Sequence, residues 1–360
     1  MPILLTRSRL FGLLARLQTA KTLWGPCFEV NMMLPMALAL ATAPLHWPAP
    51  RLEKPQTILL NAGPTVTRLD ANKDYVLKLP SVVKRGSTVI LGGRNVILIG
   101  GHISVPESDK MRRAIYIKGA TGTVHIEGVL ISNPDGGEFD AIAIAAPDAT
   151  VQVERVRVEG LQGTQATFHS DVIQPWGGVR ELRVDQLTAT SGYQGIQLPD
   201  MHGGKETGLV SLSRVNLRYT APVKPQFSDG KPNKGGFLLW TIQGRNCALN
   251  TRMVLRDVYI VQNSLRSPET AVWPPANSQI DCASAVDHAR QRVMFRNLPI
   301  DGTVTLGEPP HGDFVPAGVA GESYRSREPV ADAEEGPGGM LENWGRKLYA
   351  FLAATLKRLG

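Results

Sequence analysis

The chain has 360 residues, of which 42% are hydrophobic and 20% are charged. This composition excludes a wholly disordered chain and a small disulfide-stabilised domain, because it supplies enough apolar material for a large core. The net charge of +7 comes mainly from the two ends, because residues 1–41 and 341–360 each hold four basic and one acidic side chain. The residues between them hold 31 basic and 30 acidic side chains. This nearly neutral body argues against nucleic acid as a partner.

Residues 32–43 form a short apolar run that ends in small side chains. The run is similar to the apolar region and cleavage site of a secretory signal, with Ala39-Leu40-Ala41 as the small-x-small element. It is too short to span a bilayer. We therefore expect residues 1–43 to be a targeting segment and the protein to be secreted or periplasmic. A disordered or loosely helical N-terminal arm is the alternative.

One sequence pattern returns through residues 44–305 at intervals of 27 to 43 residues. Each copy has two polar residues followed by alternating apolar positions, which is typical of a short strand with one buried face. The central residues of the copies are Val96, Val129, Val156, Leu187, Val215, Val258 and Leu298. A second strand type precedes several copies, with its centres at Ile115, Ile142, Ile173 and Ile196, and a third strand lies between the two.

Three short strands per irregular period, with little helical periodicity and few tight hairpin turns, describe one coil of a stack. The pattern predicts an all-β solenoid of about seven coils over residues 44–305, in which like strands pair in parallel about 4.8 Å apart. This organisation resembles the right-handed parallel β-helix of the pectin-lyase-like superfamily. Another β-solenoid or a β-propeller is the alternative.

The C-terminal residues differ from the repeat. Residues 306–340 are rich in Gly, Pro and acidic side chains and are predicted to be a flexible linker. Residues 341–360 place leucines and Trp344 near one face of an amphipathic helix, which would dock on the stack or on a partner, or contact a membrane surface. Cys247 and Cys282 would be the only cysteines after signal removal, and they form either a disulfide or two separate thiols.

Aligning the second strand type places Asp140, Asp171 and Gln194 in one column, and Glu138 and His169 in another two residues earlier. Neighbours in a column lie on adjacent coils, so one carboxyl of the Asp140–Asp171 pair should stay protonated or a cation should bind. A protonated acid beside an ionised one is suited to general acid/base catalysis. A divalent cation such as calcium is equally compatible with the oxygen ligands. Capping of turn amides is the structural alternative.

The segment His169-Ser170-Asp171-Val172-Ile173-Gln174-Pro175-Trp176 resembles the His-x-Asp-x-Ile-Gln strand of many secreted β-helix proteins related to polysaccharide lyases, hydrolases and epimerases. The resemblance implies that His169, Asp171 and Gln174 line a ligand groove and that Trp176 stacks on a sugar. On the next coil, Gln197, Asp200 and His202 follow. The complete motif sets of polygalacturonase-like hydrolases and pectate lyases do not occur, which argues against pectin as the specific substrate.

These observations predict an exported protein that acts on an extended polysaccharide as a lyase or glycoside hydrolase. The candidate catalytic residues are Asp171, His169, Asp140 and Glu138, and the candidate substrate-binding residues are Gln174, Trp176, Gln197, Asp200 and His202. The first alternative is a non-catalytic β-helix that binds glycan or assists exopolysaccharide assembly. The second alternative is a purely structural or adhesin-like stack, which would need no polar groove.

Overall fold

The computed structural model describes residues 45–198, 207–221, 224, 231–242, 245, 247–248 and 251–324. The predicted targeting segment and C-terminal helix lie outside these residues. The first strands in chain order are β1 (Gln56–Leu59), β2 (Thr65–Leu69), β3 (Tyr75–Lys78), β4 (Lys84–Arg85), β5 (Thr88–Gly92), β6 (Val96–Ile99), β7 (His102–Ser104), β8 (Arg113–Lys118), β9 (Thr123–Glu127), β10 (Leu130–Ser132) and β11 (Asp140–Leu161).

The remaining strands are β12 (Ile173–Gln174), β13 (Val179–Ser191), β14 (Ile196–Gln197), β15 (Leu209–Tyr219), β16 (Leu239–Trp240), β17 (Arg252–Val261), β18 (Val272–Trp273), β19 (Ala285–Asp287), β20 (Arg292–Met294), β21 (Ile300–Asp301) and β22 (Val304–Leu306). A short 3-10 helix covers Pro268–Thr270. In the described part of the chain, no helix is long and apolar enough to cross a membrane.

Most strands stack in parallel, pairing with their equivalents one coil later, whereas β20 pairs antiparallel with β19 and β22. Sheet I contains β2, β5, β8, the start of β11, β12, β14, β16 and β18, paired in that order. Sheet II contains the other strands and has two arms, which run together in β11, β13, β15 and β17. The predicted all-β architecture with parallel strands is confirmed, and it is consistent with a β-helix.

The apolar residues of each coil point into the stack because they alternate with outward side chains. Ile115, Ile142, Ile173 and Ile196 are paired in register and fully buried, so the predicted alignment of the second strand type is confirmed. They belong to one continuous core that contains most of the buried apolar side chains of both sheets. Each coil therefore buries its apolar face on its neighbours.

The polar pair of the repeat forms the corner between the two arms of sheet II. The second residue of each pair has a left-handed backbone conformation, at Gly128, Arg155, Gln186, Arg214 and Asp257. A single residue with positive φ turns the chain sharply without a loop. The repeat pattern predicts that these pairs begin a strand, but four of them lie inside β11, β13, β15 and β17 and the first joins β9 to β10.

For two copies of the repeat, the sequence pattern predicts the wrong column of paired strands. Val96 pairs with Tyr75 and Val124 in the first arm, one strand before the column that contains Val129. At the other end, Val304 rather than Leu298 pairs with Val258. The pattern of polar residues followed by alternating apolar ones is too general to distinguish the two arms.

Cys247 and Cys282 form a disulfide, with their Cα atoms 5.7 Å apart. The bridge packs with Ile242, Ile280 and Trp273 in a small apolar cluster beside the last coils. Of the two alternatives for these cysteines, the structure therefore contains the bridge.

Two terminal segments cover sheet II. The backbone N–H of Trp47 donates to Glu154 Oε1 at 2.8 Å. Residues 308–324, here called the C-terminal strap, pass back over several coils: Asp313 pairs with Arg157 and Arg218 at 2.8 and 2.7 Å. This part of the predicted 306–340 linker is thus packed on the stack, and residues 325–340 lie outside the described residues.

The strap ends at Tyr324, whose ring lies against Gly128. A Cβ atom at Gly128 would come within 2.2 Å of that ring, so the glycine is needed for close approach as well as for its φ of 66°. The Tyr324 hydroxyl donates to Glu127. The packing of the Tyr324 ring on Gly128 and the hydrogen bond from its hydroxyl to Glu127 therefore hold the strap on the stack.

Candidate functional site

One register position on the outer face of sheet I carries a continuous row of side chains. Pairing of the strands aligns Tyr116 with Ala143, Ala143 with Gln174, Gln197 with Trp240, and Trp240 with Trp273, while Gln174 hydrogen-bonds to Gln197. We call this set the outer row: Tyr116, Ala143, Gln174, Gln197, Trp240 and Trp273. Because these residues pair in register on successive strands about 4.8 Å apart, the row runs along the stack.

At the Tyr116 end of the outer row, a second aromatic ring and a cation lie against Tyr116. The ring of Trp176 stacks on Tyr116 with centroids 6.1 Å apart and an interplanar angle of 29°. The guanidinium of Arg113 lies over both rings, 5.0 and 5.8 Å from their centroids. Trp176 is partly exposed, as a residue on a ligand-binding surface needs to be.

The C-terminal half of the row is a second aromatic cluster. Trp240 and Trp273 have ring centroids 5.0 Å apart, and Phe237 meets both edge-on at 5.4 and 5.2 Å. Trp240 is fixed further by its Nε1–H, which donates to Ile242 O at 2.6 Å. Arg266 lies 4.5 Å over the Phe237 ring. The cluster is thus a packed aromatic platform at the surface of sheet I.

A buried carboxyl pair lies beside the middle of the row. Asp140 and Asp171 occupy one column on adjacent coils and are 2% and 0% exposed. The backbone N–H of Asp171 donates to Asp140 Oδ1 at 3.1 Å, and Arg113 Nε lies 3.5 Å from Asp140 Oδ2. The structure brings these two residues together, as the alignment of the strands predicts.

Burial dominates the ionisation of the pair. It raises the pKa of Asp140 to about 7, against the opposing effects of the Arg113 charge and the Asp171 N–H. Burial raises the pKa of Asp171 well above its ordinary value, and the charge of Asp140 raises it further. Two carboxyls in one dry site cannot both ionise near neutral pH, so the pair holds at least one proton there.

Glu138 and His169, predicted to be neighbours, have different partners. Glu138 is buried and accepts a hydrogen bond from Thr167 Oγ1 at 2.6 Å. His169 is exposed, and its ring lies 5.5 Å from that of Tyr193. Glu138 aligns with Gln162 across the coils rather than with His169, because the chain leaves the ladder after Gln162. The register that holds for Asp140 therefore does not extend two residues back.

The other predicted residues divide between the row and the chain outside the described residues. Gln174 and Gln197 are members of the outer row, and Trp176 covers its Tyr116 end. Asp200 and His202 lie outside the described residues. Where the chain is described, no group of three or more His, Cys, Asp or Glu side chains is arranged to hold a metal ion.

Sequence reasoning missed Phe237 and Trp273 as site residues. The signal for Trp273 is weak: Ala271-Val272-Trp273 repeats the apolar-apolar-outward order of the second strand type, but Trp273 is 33 residues after Trp240, within an insertion. Phe237 falls in the column of Asp140, Asp171 and Gln194, where the earlier coils have polar residues. Comparison with family models, with curated proteins and with solved structures finds no match for the chain.

Proposed function

We propose that the chain is a right-handed parallel β-helix of the pectin-lyase-like type that is exported and binds an extended polysaccharide along the outer row. The observation that carries this proposal is the row itself, which places aromatic and amide side chains at one register position over six coils. Gln174, Trp240 and Trp273 are its partly exposed members, and Tyr116, Ala143 and Gln197 are buried beneath its surface. Aromatic faces stack on the C–H faces of sugar rings, and amides hydrogen-bond to hydroxyls. A stack of coils repeats these contacts along a polymer.

Binding is a better fit to the geometry than cleavage. A catalytic acid must reach the glycosidic oxygen, yet Asp140 and Asp171 are 2% and 0% exposed. Glu138 is buried as well and engaged by Thr167. His169 is exposed, but its partners are Tyr193 and the backbone O of Gln165, 3.1 Å from its Nε2. The four candidate catalytic residues therefore do not form one accessible acid/base set.

The test is binding to a panel of purified polysaccharides, including uronate polymers and neutral glucans, by affinity electrophoresis. Wild type should bind at least one, and Trp240→Ala should weaken that binding about ten-fold, the scale for loss of one buried aromatic contact. Gln174→Ala should weaken it less. The control is Trp47→Ala, because Trp47 lies on sheet II near Arg183. Equal binding by Trp240→Ala and wild type would contradict the proposal.

Cleavage by a lyase or hydrolase mechanism is the second candidate. It is favoured by the raised pKa values of Asp140 and Asp171, since a protonated carboxyl near neutral pH is the form that a general acid requires. Incubation with uronate polymers should then give absorbance from an unsaturated product for a lyase, or new reducing ends for a hydrolase. Turnover in wild type that disappears in Asp171→Asn would replace the binding proposal with this one.

A further inference from the structure

The side chain of Gln197 lies between the buried carboxyl of Asp171 and the partly exposed amide of Gln174. In one orientation, Gln197 Oε1 accepts from Gln174 Nε2 at 3.2 Å. With the amide turned over, Gln197 Nε2 occupies the same end and lies 3.2 Å from both Asp171 carboxyl oxygens and from Gln194 Oε1. One end of this amide therefore faces a donor on one side and acceptors on the other.

Each orientation of Gln197 requires a different protonation state of Asp171. When Asp171 is protonated, its O–H donates to Gln197 Oε1, which also accepts from Gln174 Nε2, and Gln194 turns its own Oε1 away from that oxygen. When Asp171 is ionised, an oxygen at this position would face a carboxylate, so the amide turns and one N–H of Gln197 Nε2 donates to Asp171. The Gln174 amide must then turn as well, because two NH2 groups cannot hydrogen-bond to each other, and Gln174 Oε1 and Gln194 Oε1 share the second N–H as acceptors.

Water has little access to relieve either mismatch. Asp171 is fully buried and Gln197 is 3% exposed. A buried polar group without a partner costs roughly 1–3 kcal/mol, so the two amides should follow the proton rather than leave a group unpaired. Gln174 is partly exposed, so its turning changes the surface of the outer row.

The other charged and titratable groups near Asp171 have partners of their own, so the protonation of Asp171 is what changes with pH. On the preceding coil, Asp140 opposes its ionisation, and Arg113 is directed at Asp140. On the following coil, the Tyr193 hydroxyl donates to Gln165 Oε1 at 2.5 Å. Beyond it, Arg266 donates to the backbone carbonyls of Gly235 and Gly236, both at 2.9 Å.

We propose that Asp171 and Gln197 form a proton-controlled relay that sets which end of the Gln174 amide faces the ligand. Protonated Asp171 turns the Gln174 oxygen outward as an acceptor, and ionised Asp171 turns the nitrogen outward as a donor. Asp171 and Gln197 are thus positioning residues, and Gln174 determines specificity. The consequence for ligands rests on the proposed function: a sugar hydroxyl fits both states, whereas a group that only accepts hydrogen bonds fits the ionised state alone.

The relay is tested without a ligand, by NMR of the side-chain amides of the full chain from pH 5 to pH 9. The resonances of Gln174 and Gln197 should move together with one midpoint, and Asp171→Asn should abolish the movement of both while leaving the fold intact. Asp140→Asn should lower the midpoint by about one pH unit or more, since it removes the like charge. The Gln262 amide, which donates to Arg266 O, is the control and should stay unchanged.

Two results would overturn the relay. The first is a Gln174 amide that does not respond between pH 5 and pH 9, whether or not Gln197 does. The second is a response of both amides that persists with the same midpoint in Asp171→Asn, which would assign it to another group. A protein that passes this titration and binds no polysaccharide would refute the proposed function and leave the relay standing.

Discussion

Acidic side chains stack in one column on each sheet, and the two columns differ in the partners that their carboxyls have. On sheet II, Glu127, Glu154 and Asp185 follow one another on successive coils. On sheet I, Asp140 and Asp171 do the same beside the outer row. Stacking brings like residues one coil apart in both, so each column accumulates negative charge at short range.

Two of the three acids on sheet II have specific partners for their charge. Asp185 receives a two-pronged contact from Arg214, in which Nε lies 2.8 Å from Oδ1. Burial opposes ionisation of Glu127, but hydrogen bonds from His125, 3.1 Å away, and from the Tyr324 hydroxyl lower its pKa. Glu154 between them has no ion-pair partner among the described residues, and burial raises its pKa to about 7.

The column on sheet I has one partial cation for two carboxyls. Arg113 contacts Asp140, whereas Asp171 is surrounded by amides, by its like-charged neighbour and by Tyr193. A stacked acid is therefore structural where side chains of the neighbouring coil or of a terminal segment bind its charged form, as at Asp185 and Glu127. At Glu154, Asp140 and Asp171 burial outweighs the partners, so the acid keeps its proton near neutral pH and the site can respond to pH.

The greatest loss of stability is expected when Arg214, the cation that pairs with Asp185 on sheet II, is removed. Arg214→Ala would leave the Asp185 carboxylate buried without its ion pair, which should lower the free energy of unfolding by about 3 kcal/mol. The matched control is Arg256→Ala, whose partner Asp301 is exposed and which should cost less than about 1 kcal/mol. Chemical denaturation at pH 7 measures both. Equal effects of the two changes would show that the sheet II column is not held by this pair.

The second prediction concerns the pH dependence caused by sheet I. Because the folded-state pKa values of Asp140 and Asp171 are raised, the folded chain keeps protons that the unfolded chain releases above about pH 4. Stability is therefore fully present at acid pH and is lost as pH rises, by about 1.4 kcal/mol per pH unit for each proton held. Asp171→Asn should flatten the fall between pH 5 and pH 8. An unchanged slope would mean that Asp171 ionises normally.

The third prediction tests the hydrogen bond between the strap and Glu127 in the acid column of sheet II. Tyr324→Phe keeps the ring against Gly128 but removes the hydroxyl that donates to Glu127. The expected loss is about 1.5 kcal/mol of unfolding free energy, the value for a hydrogen bond to a charged group. Faster amide hydrogen exchange at Gly321, whose N–H donates to Gly128 O, would report loosening of the strap. No change in either quantity would contradict a holding role for this bond.

The smallest effect is expected at Glu154 at acid pH. Glu154→Gln retains the acceptor for the Trp47 N–H and removes the charge, so stability at pH 4 should change by less than about 1 kcal/mol. As the pH rises above about 5 the variant should become the more stable, because the unfolded wild type releases a proton that folded Glu154, with its pKa of about 7, keeps. Thermal unfolding at pH 4 and pH 8 checks the sign. A variant that is less stable at pH 8 would show that the ionised form is favoured in the fold.

Much of the stack was predictable because its periodicity is local. The second strand type has an apolar centre and a polar residue two positions before it in most coils, and that pattern alone aligns Asp140 with Asp171. The alignment fails where the chain between strands changes length. Glu138 and His169 share a sequence offset, but the loop after Gln162 removes the register that would have stacked them.

Alternation and turn spacing are properties of the chain alone, so the sequence is enough to predict parallel coils and the side chains of the second strand type that share a column. The burial of the aspartates, which could equally have been exposed in a cleft, depends on the folded structure. The folded structure also decided that residues 308–324 pack on sheet II and that Gln197 joins Asp171 to Gln174. Burial and hydrogen-bond partners depend on which coil, loop or strap lies against a residue, and no local pattern in the sequence encodes that contact.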